Sequence, residues 1–287
     1  MSSVRIGPSG WSYDSWQGDF YPDWLPKARR LEYVGRHFSA VEVNGSFYSL
    51  LSAKTWDKYG RETPESFRFA VKGSRFITHN KQLGDVRGPL ANFLASGLLL
   101  LGKKLDVILW QFPARRAVDP ERLDAFVRLL PGDTNAAAAL AGEHDDRVDD
   151  PVTSADSNHR IRHAVELRHP DDLTAERVGA LRDAGIALVF SHASDWPYVE
   201  EVTAGFIYLR LHGAPKTYAS RYPPPELRRW AARLERWRAG EEPDDAERIT
   251  DGKPPPRKGR DAYVFFDNDS EGHAPHDARR LMELVDE

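Results

Sequence analysis

Short apolar runs alternate with segments of helical periodicity along nearly the whole chain. The pattern is clearest between Ile161 and Gly213, where three runs each end in polar or charged residues. They are Val165-Glu166-Leu167-Arg168-His169, Ala187-Leu188-Val189-Phe190-Ser191-His192 and Phe206-Ile207-Tyr208-Leu209-Arg210-Leu211-His212-Gly213. A helix-like stretch from Thr174 to Ala184, closed by Gly185, separates the first two, and strand, helix, strand at this spacing predicts a parallel β unit. Towards the N-terminus the same rhythm predicts strands at Val4 to Gly7, Ala40 to Val43, Phe67 to Val71 and Asp106 to Phe112. Ala262 to Phe266 is predicted as the last strand. Helices are predicted between them: behind Pro26, over about Ser52 to Arg61, Pro89 to Leu101, behind the Asp119-Pro120 start, Pro225 to Ala239, and His276 to Leu284. Eight strands, each followed by a helical segment in one domain, predict an α/β fold of the single (β/α)8, TIM-type barrel class, with its chemistry at the carboxyl ends of the strands.

Two segments break the rhythm. Residues 143–158 are acidic and poor in apolar side chains, and read as a surface insertion. Residues 241–260 carry charges and Pro254-Pro255-Pro256, and read as an exposed connection. The whole of residues 1–287 is thus expected to form one domain. Gly7-Pro8-Ser9-Gly10 lacks the spacing of a nucleotide-binding glycine loop.

Composition narrows the chemistry. The formal net charge of −4 gives no general attraction to nucleic acid or to an anionic membrane, although a local basic groove is compatible with it. The absence of cysteine excludes disulfides, thiolate nucleophiles and cysteine-bound zinc. Neither a signal-peptide core nor a span-length apolar run is found, so a cytoplasmic protein without membrane association is expected.

Side chains two apart on a strand share a face. Glu42 aligns with Asn44, Glu166 with Arg168 and Arg210 with His212, and strand ends on one rim would bring these pairs towards Lys72, Gln111 and Asn268. Lys72, Arg75, Arg168 and Arg210 suit a phosphate or carboxylate. Glu42, Glu166 and His212 are the candidates for proton transfer, and Asn44, Tyr48, Gln111 and Asn268 for contacting and orienting substrate. A purely structural role competes for each ion pair, since a half-made buried pair is costly. No cofactor is predicted. A divalent metal held by His79, Glu166, His212 and Asp267 is the minor alternative, because no compact ligand motif is present. Aromatic residues crowd the first loop (Trp11, Tyr13, Trp16, Phe20, Tyr21 and Trp24) and recur at Phe47, Tyr48, Trp196 and Tyr198. Most are expected to pack, and the remainder to line a sugar or a nucleic-acid strand.

Several blocks together carry a family resemblance: Gly10-Trp11-Ser12-Tyr13, Val41 to Tyr48, Phe69 to His79, Gln111-Phe112-Pro113, His163 to His169, Leu209 to Gly213, and Tyr263 to Asp269 with Gly272-His273-Ala274. The chain resembles the YecE-like family, also called domain of unknown function 72, over nearly its full length. The resemblance implies a barrel fold and supplies no reaction. Pro8 and Gly45 depart from the family pattern without removing an ionisable group. The expected function is therefore an enzyme, a hydrolase among the candidates, using acid–base chemistry on an anionic substrate such as a sugar or nucleic-acid phosphoester. The alternatives are a non-catalytic carbohydrate- or single-stranded nucleic-acid-binding protein, and a glycoside hydrolase using a carboxylate pair. Oligomeric state is not legible in the sequence.

Overall fold

The computed structural model describes residues 2–286. Nine strands form among the described residues: β1 Val4–Pro8, β2 Ala40–Val43, β3 Arg68–Lys72, β4 Leu105–Gln111, β5 Arg162–Glu166, β6 Ala187–Leu188, β7 Phe190–His192, β8 Phe206–Leu211 and β9 Asp261–Phe266. The α-helices are α1 Arg30–His37, α2 Gly45–Tyr48, α3 Ala53–Glu62, α4 Arg87–Ala95, α5 Pro120–Leu129, α6 Thr134–Ala141, α7 Ala175–Ala184, α8 Pro224–Arg238 and α9 His273–Asp286. The predicted caps are in place. The Asp119 carboxylate accepts from the Arg122 amide at 3.0 Å, and Gly185 ends α7 in the left-handed region at φ 66°. No helix among the described residues is long and apolar enough to cross a membrane.

The expected closed eight-stranded barrel is not found. The strands form two parallel sheets, four-stranded in the order β1-β9-β8-β7 and five-stranded in the order β2-β3-β4-β5-β6. Both seams between the sheets have a physical cause. The run predicted as one strand over 187–192 is divided at Val189, whose amide still bonds β5 through Val165 O while β7 pairs only with β8. The free edge of β6 is satisfied by a side chain: Thr203 Oγ1 accepts from the Leu188 amide at 2.7 Å and donates to Ile186 O at 2.6 Å. At the other seam the Ser39 hydroxyl takes the Ile6 amide at 3.0 Å, and one bridge, Ser9 to Glu42, joins β1 to β2. Hydroxyl groups thus stand where ladder bonds would continue. Gly7 permits the approach, since a Cβ there would lie 1.9 Å from Ala40 O.

Alternation along each strand divides the core. One face carries Ala40, Ala70, Ala164 and Ala187 from the five-stranded sheet together with Phe206, Tyr208, Tyr263 and Phe265 from the other, all buried in a single cluster. Small side chains on one sheet meet large ones on the other, which fills the space without voids. The opposite faces, with Phe69, Trp110, Val165, Leu209 and Phe266, pack against the helices in the larger cluster.

The two irregular segments are tied down in part. Val152 donates its amide to Ala95 O, anchoring 143–158 to α4. The 241–260 connection differs from a simple exposed loop. Glu201 accepts from the amides of Ile249 and Thr250, and the buried Arg260 guanidinium holds Pro255 O at 2.9 Å.

Candidate functional site

The face that carries the alanines and aromatic rings continues, two residues further on, into charge. Ala40 leads to Glu42, Ala70 to Lys72, Leu109 to Gln111, Ala164 to Glu166 and then Arg168, Tyr208 to Arg210 and His212, and Phe265 to Asp267. Period-two alternation therefore sets all of these on the layer between the sheets at one end.

Arg210 is the hub and is fully buried. Its Nε and Nη2 grip Glu42 at 3.0 and 2.6 Å, Nη1 reaches Glu166 Oε2 at 3.0 Å, and Nη2 reaches Asp267 Oδ2 at 2.9 Å. Glu42 also accepts from Ser9 Oγ at 2.6 Å and Tyr208 OH at 2.7 Å. Glu166 also accepts from Arg168 at 3.0 Å and Ser191 Oγ at 2.6 Å, with His212 Nε2 at 3.1 Å. Burial pushes the Glu166 carboxyl up, but Arg168 and Arg210 outweigh it and hold the group well below the usual carboxylate range. Both glutamates, expected from the sequence as candidates for proton transfer, thus have their oxygens engaged by several donors.

His212 Nδ1 lies 3.0 Å from Asp267 Oδ2 but off the line required for a hydrogen bond, so the contact is electrostatic. Asp267 and Asp269 divide their roles. Burial raises both, yet Arg210 and His212 keep Asp267 ionised, whereas burial and the Asp267 charge push Asp269 well above the normal range. Asp269 Oδ1 is buried without a donor. A carboxyl driven towards its neutral form therefore stands beside one driven towards its anion, and Tyr13, whose hydroxyl donates to Ser9 O at 2.7 Å, packs nearby and is raised mainly by its own burial.

Lys72 behaves differently from every cation above. It is only 9% exposed, and among the described residues its ammonium makes no hydrogen bond or ion pair. Its one contact is the Phe47 ring, 4.3 Å below Nζ. Burial, then the Arg210 charge, brings its pKa down to about 8, only partly offset by Glu42, Asp267 and Glu166. Gly73 helps to set this position: a Cβ there would lie 2.3 Å from the Trp110 ring. Gly73→Ala is expected to cost about 1–3 kcal/mol in a denaturant titration, because the buried indole has no room to retreat.

The remaining predicted residues are distributed more widely. Arg168 closes over Trp196 at 4.1 Å and donates to Tyr218 OH at 3.1 Å. Asn44 donates to Ser9 Oγ at 3.0 Å and keeps a buried, unpartnered Oδ1. Gln111 is held locally, donating to Phe112 O at 2.6 Å. Tyr48 and Arg75 are exposed at the rim. Asn268 is not brought into the cluster: one residue out of phase, it faces the helices and donates to Ser220 O and Asp277 Oδ2. His169 caps the 170–172 turn instead of joining the floor. Among the described residues no group of three or more histidine and carboxylate side chains is arranged to hold a metal, since the Arg210 guanidinium occupies the space between Glu42, Glu166 and Asp267. Of the first-loop aromatics, Trp16, Phe20 and Tyr21 are buried core and Trp24 is exposed. Sequence reasoning missed Ser9, Ser191, Tyr208, Asp269 and Tyr218 as members of the site. For Ser9, Ser191, Tyr208 and Asp269, alternation counted from the alanine and aromatic positions was the available signal.

Comparison with known proteins bears on the family and the fold. The family model described as Protein of unknown function DUF72 matches residues 5–287. The UPF0759 protein YunF of Bacillus subtilis (strain 168) is 32% identical over 117 residues, covering 38% of this chain and 40% of that relative's length. A crystal structure of a DUF72 family protein from Thermotoga maritima is similar with a TM-score of 0.73 at 22% identity, covering 99% of this chain and all of that one. One from Enterococcus faecalis gives a TM-score of 0.68 at 17% identity, covering 99% and 96% of the two chains. At these identities the structural matches speak for the fold alone, whereas the family model spans the chain from its first strand to its last helix, and on that ground the protein belongs to the DUF72 family.

Proposed function

We propose that the protein is an enzyme that carries out acid–base chemistry on an anionic substrate, such as a phosphoester of a sugar or nucleic acid. The observation that carries this reading is Lys72, a nearly buried ammonium with a ring beneath it and no anion beside it. An ammonium that is charge-compensated only at a distance, by Glu42, Asp267 and Glu166, is costly to bury, and a substrate phosphate or carboxylate would supply the direct partner. The floor around it is charge-balanced as it stands: Glu42, Glu166 and Asp267 oppose Arg210, Arg168 and Lys72, with Asp269 neutral. Lys72 then acts, in its protonated form, as the anion contact, with Asp269 as proton donor. Arg210, Glu42 and Glu166 form the rigid base that holds both in place. A glycosidase pair made of Glu42 and Glu166 is disfavoured, because both carboxylates are saturated by donors and share one guanidinium.

The test is the thermal stabilisation conferred by inorganic phosphate and small phosphomonoesters. Wild type should be stabilised at pH 7, and the effect should fade as pH rises through about 8, where Lys72 loses its proton. Lys72→Met should abolish it. Equal stabilisation of wild type and variant would remove the basis of the proposal. A hydrolase screen comparing wild type, Lys72→Met and Asp269→Asn then addresses turnover.

A further inference from the structure

Beyond the floor, the rim of the site changes character. Tyr48 is 69% exposed and meets Phe47, the ring that contacts Lys72, edge-on at 5.1 Å. Phe47 also meets His79 edge-on at 5.1 Å, and His79 Nδ1 is 2.8 Å from Thr78 Oγ1. Thr78 in turn forms part of the wall of a cavity of about 290 Å³ shared with Gln82, Phe112, Arg116 and Arg122. The contacts Lys72–Phe47, Phe47–His79 and His79–Thr78 thus lead from the floor to the wall of this cavity. Between them the turn at 75–76 offers Arg75 and the 44% exposed Phe76. Among the described residues Arg75, Arg115 and Arg116 make no ion pair with a carboxylate, unlike Arg29, Arg87 and Arg236 on other surfaces. Burial and the positive charges of Lys72, Arg75, Arg168 and Arg115 together drive His79 down to about 4, as expected where cations converge.

The geometry points to a single-stranded nucleic acid as the ligand of this rim: one phosphate at Lys72, a second in the Arg116–Arg122 cavity, and bases stacked on Tyr48 and Phe76 between them. Alternating cations and exposed rings suit such a strand because every base offers a π-face while the phosphates track the charge. A small phosphorylated metabolite would use the Lys72 position and leave the cavity and both rings idle. The formal net charge of −4 makes the local gathering of unpaired arginines the more specific signal.

This inference rests on the proposed anion site for one of its two phosphate positions, so the test reads the rim separately. Fluorescence anisotropy would follow a labelled strand of about twelve thymidines, a duplex of the same length, and heparin, at roughly 50 mM salt. The single strand should bind at least about tenfold more tightly than the duplex, with a salt slope of about −1.4 for its two neutralised phosphates. Tyr48→Ala with Phe76→Ala should weaken strand binding about tenfold or more while leaving heparin binding unchanged, and Arg75→Ala with Arg116→Ala should weaken both. No strand binding, equal affinity for duplex and strand, or indifference to loss of the rings would each overturn the inference. Strand binding that survives in Lys72→Met, together with loss of phosphate stabilisation in that variant, would support both readings. Strand binding without any phosphate effect in wild type would support the rim and sink only the anion site.

Discussion

Replacing Lys72 with methionine is expected to make the ligand-free protein more stable at neutral pH, by about 1–2 kcal/mol, and to raise its melting temperature by roughly 2–8 °C. The lysine's pKa falls from its ordinary 10.5 to about 8 in the folded chain. That displacement corresponds to about 3 kcal/mol of destabilisation while the amine is charged. Part is offset by the attraction between the ammonium and the Phe47 ring, on the order of 1–2 kcal/mol, which methionine forfeits. Methionine matches the stem of the lysine in shape and carries no charge to desolvate. The pH dependence gives the sign. Below about 8 the lysine is protonated in both folded and unfolded chains and the full cost is present. Between about 8 and 10.5 the unfolded chain binds more protons, so wild-type stability rises with pH and the advantage of the variant shrinks. Urea titrations at pH 7 and pH 10 measure both quantities. A wild type more stable than the variant at pH 7 would mean that Lys72 is a satisfied structural cation, and the proposed anion site would lose its physical basis. Stability gained together with phosphate binding lost is the signature of a residue kept for function.

Much of the fold was legible because it rests on local signals. The capping aspartate before Pro120, the αL glycine after α7 and the apolar runs each act over a few residues, and the elements formed where those signals lay. The closure of the sheet was not legible, because it depends on two places where a side chain competes with the backbone ladder. Nothing in Ala187 to His192 announces that Thr203, well downstream, will satisfy the edge of β6. The candidate site was legible to the extent that alternation was counted from a known inward position. Glu42, Glu166, Arg168, Arg210 and His212 follow the alanines and Tyr208 in phase. Asn268 was chosen over its neighbours Asp267 and Asp269 by residue type, and the pleat places it on the helix side. The state of Lys72 was beyond reach from sequence, since an unpaired lysine and a paired one are written identically. Only the geometry shows that Glu42 and Glu166 are already taken by Arg210.

The largest loss of stability is expected from Arg210→Met, at least about 3–5 kcal/mol, enough to unfold a marginal domain. The buried guanidinium touches Glu42, Glu166 and Asp267, and among the described residues no other side chain is ion-paired to all three. Glu166 would keep Arg168, Ser191 and His212, and Glu42 would keep Ser9 and Tyr208, but Asp267 would lose its ion pair with Arg210 and keep the misaligned His212, the Asp269 carboxyl and the more distant Lys72 charge. The negative charge left on that carboxylate makes the variant acid-tolerant in a particular sense. In wild type, Glu166 and Asp267 have depressed pKa values, so they contribute stability above the ordinary carboxylate range that is lost as pH falls through it. Without Arg210 the stranded carboxyls are raised instead, and protonation relieves them, so the gap between variant and wild type should narrow from pH 7 to pH 5. Arg210→Lys should recover only part of the loss, because a single ammonium cannot grip Glu42 through two nitrogens while reaching Glu166. Adding Asp267→Asn to Arg210→Met should return about 1–3 kcal/mol, since an amide needs no counter-charge. Chemical denaturation of the four proteins at both pH values decides the matter. An Arg210→Met protein within about 1 kcal/mol of wild type at pH 7 would show that the three carboxylates do not depend on the hub, and Lys72 and Asp269 would then lack the rigid floor that their proposed chemistry requires.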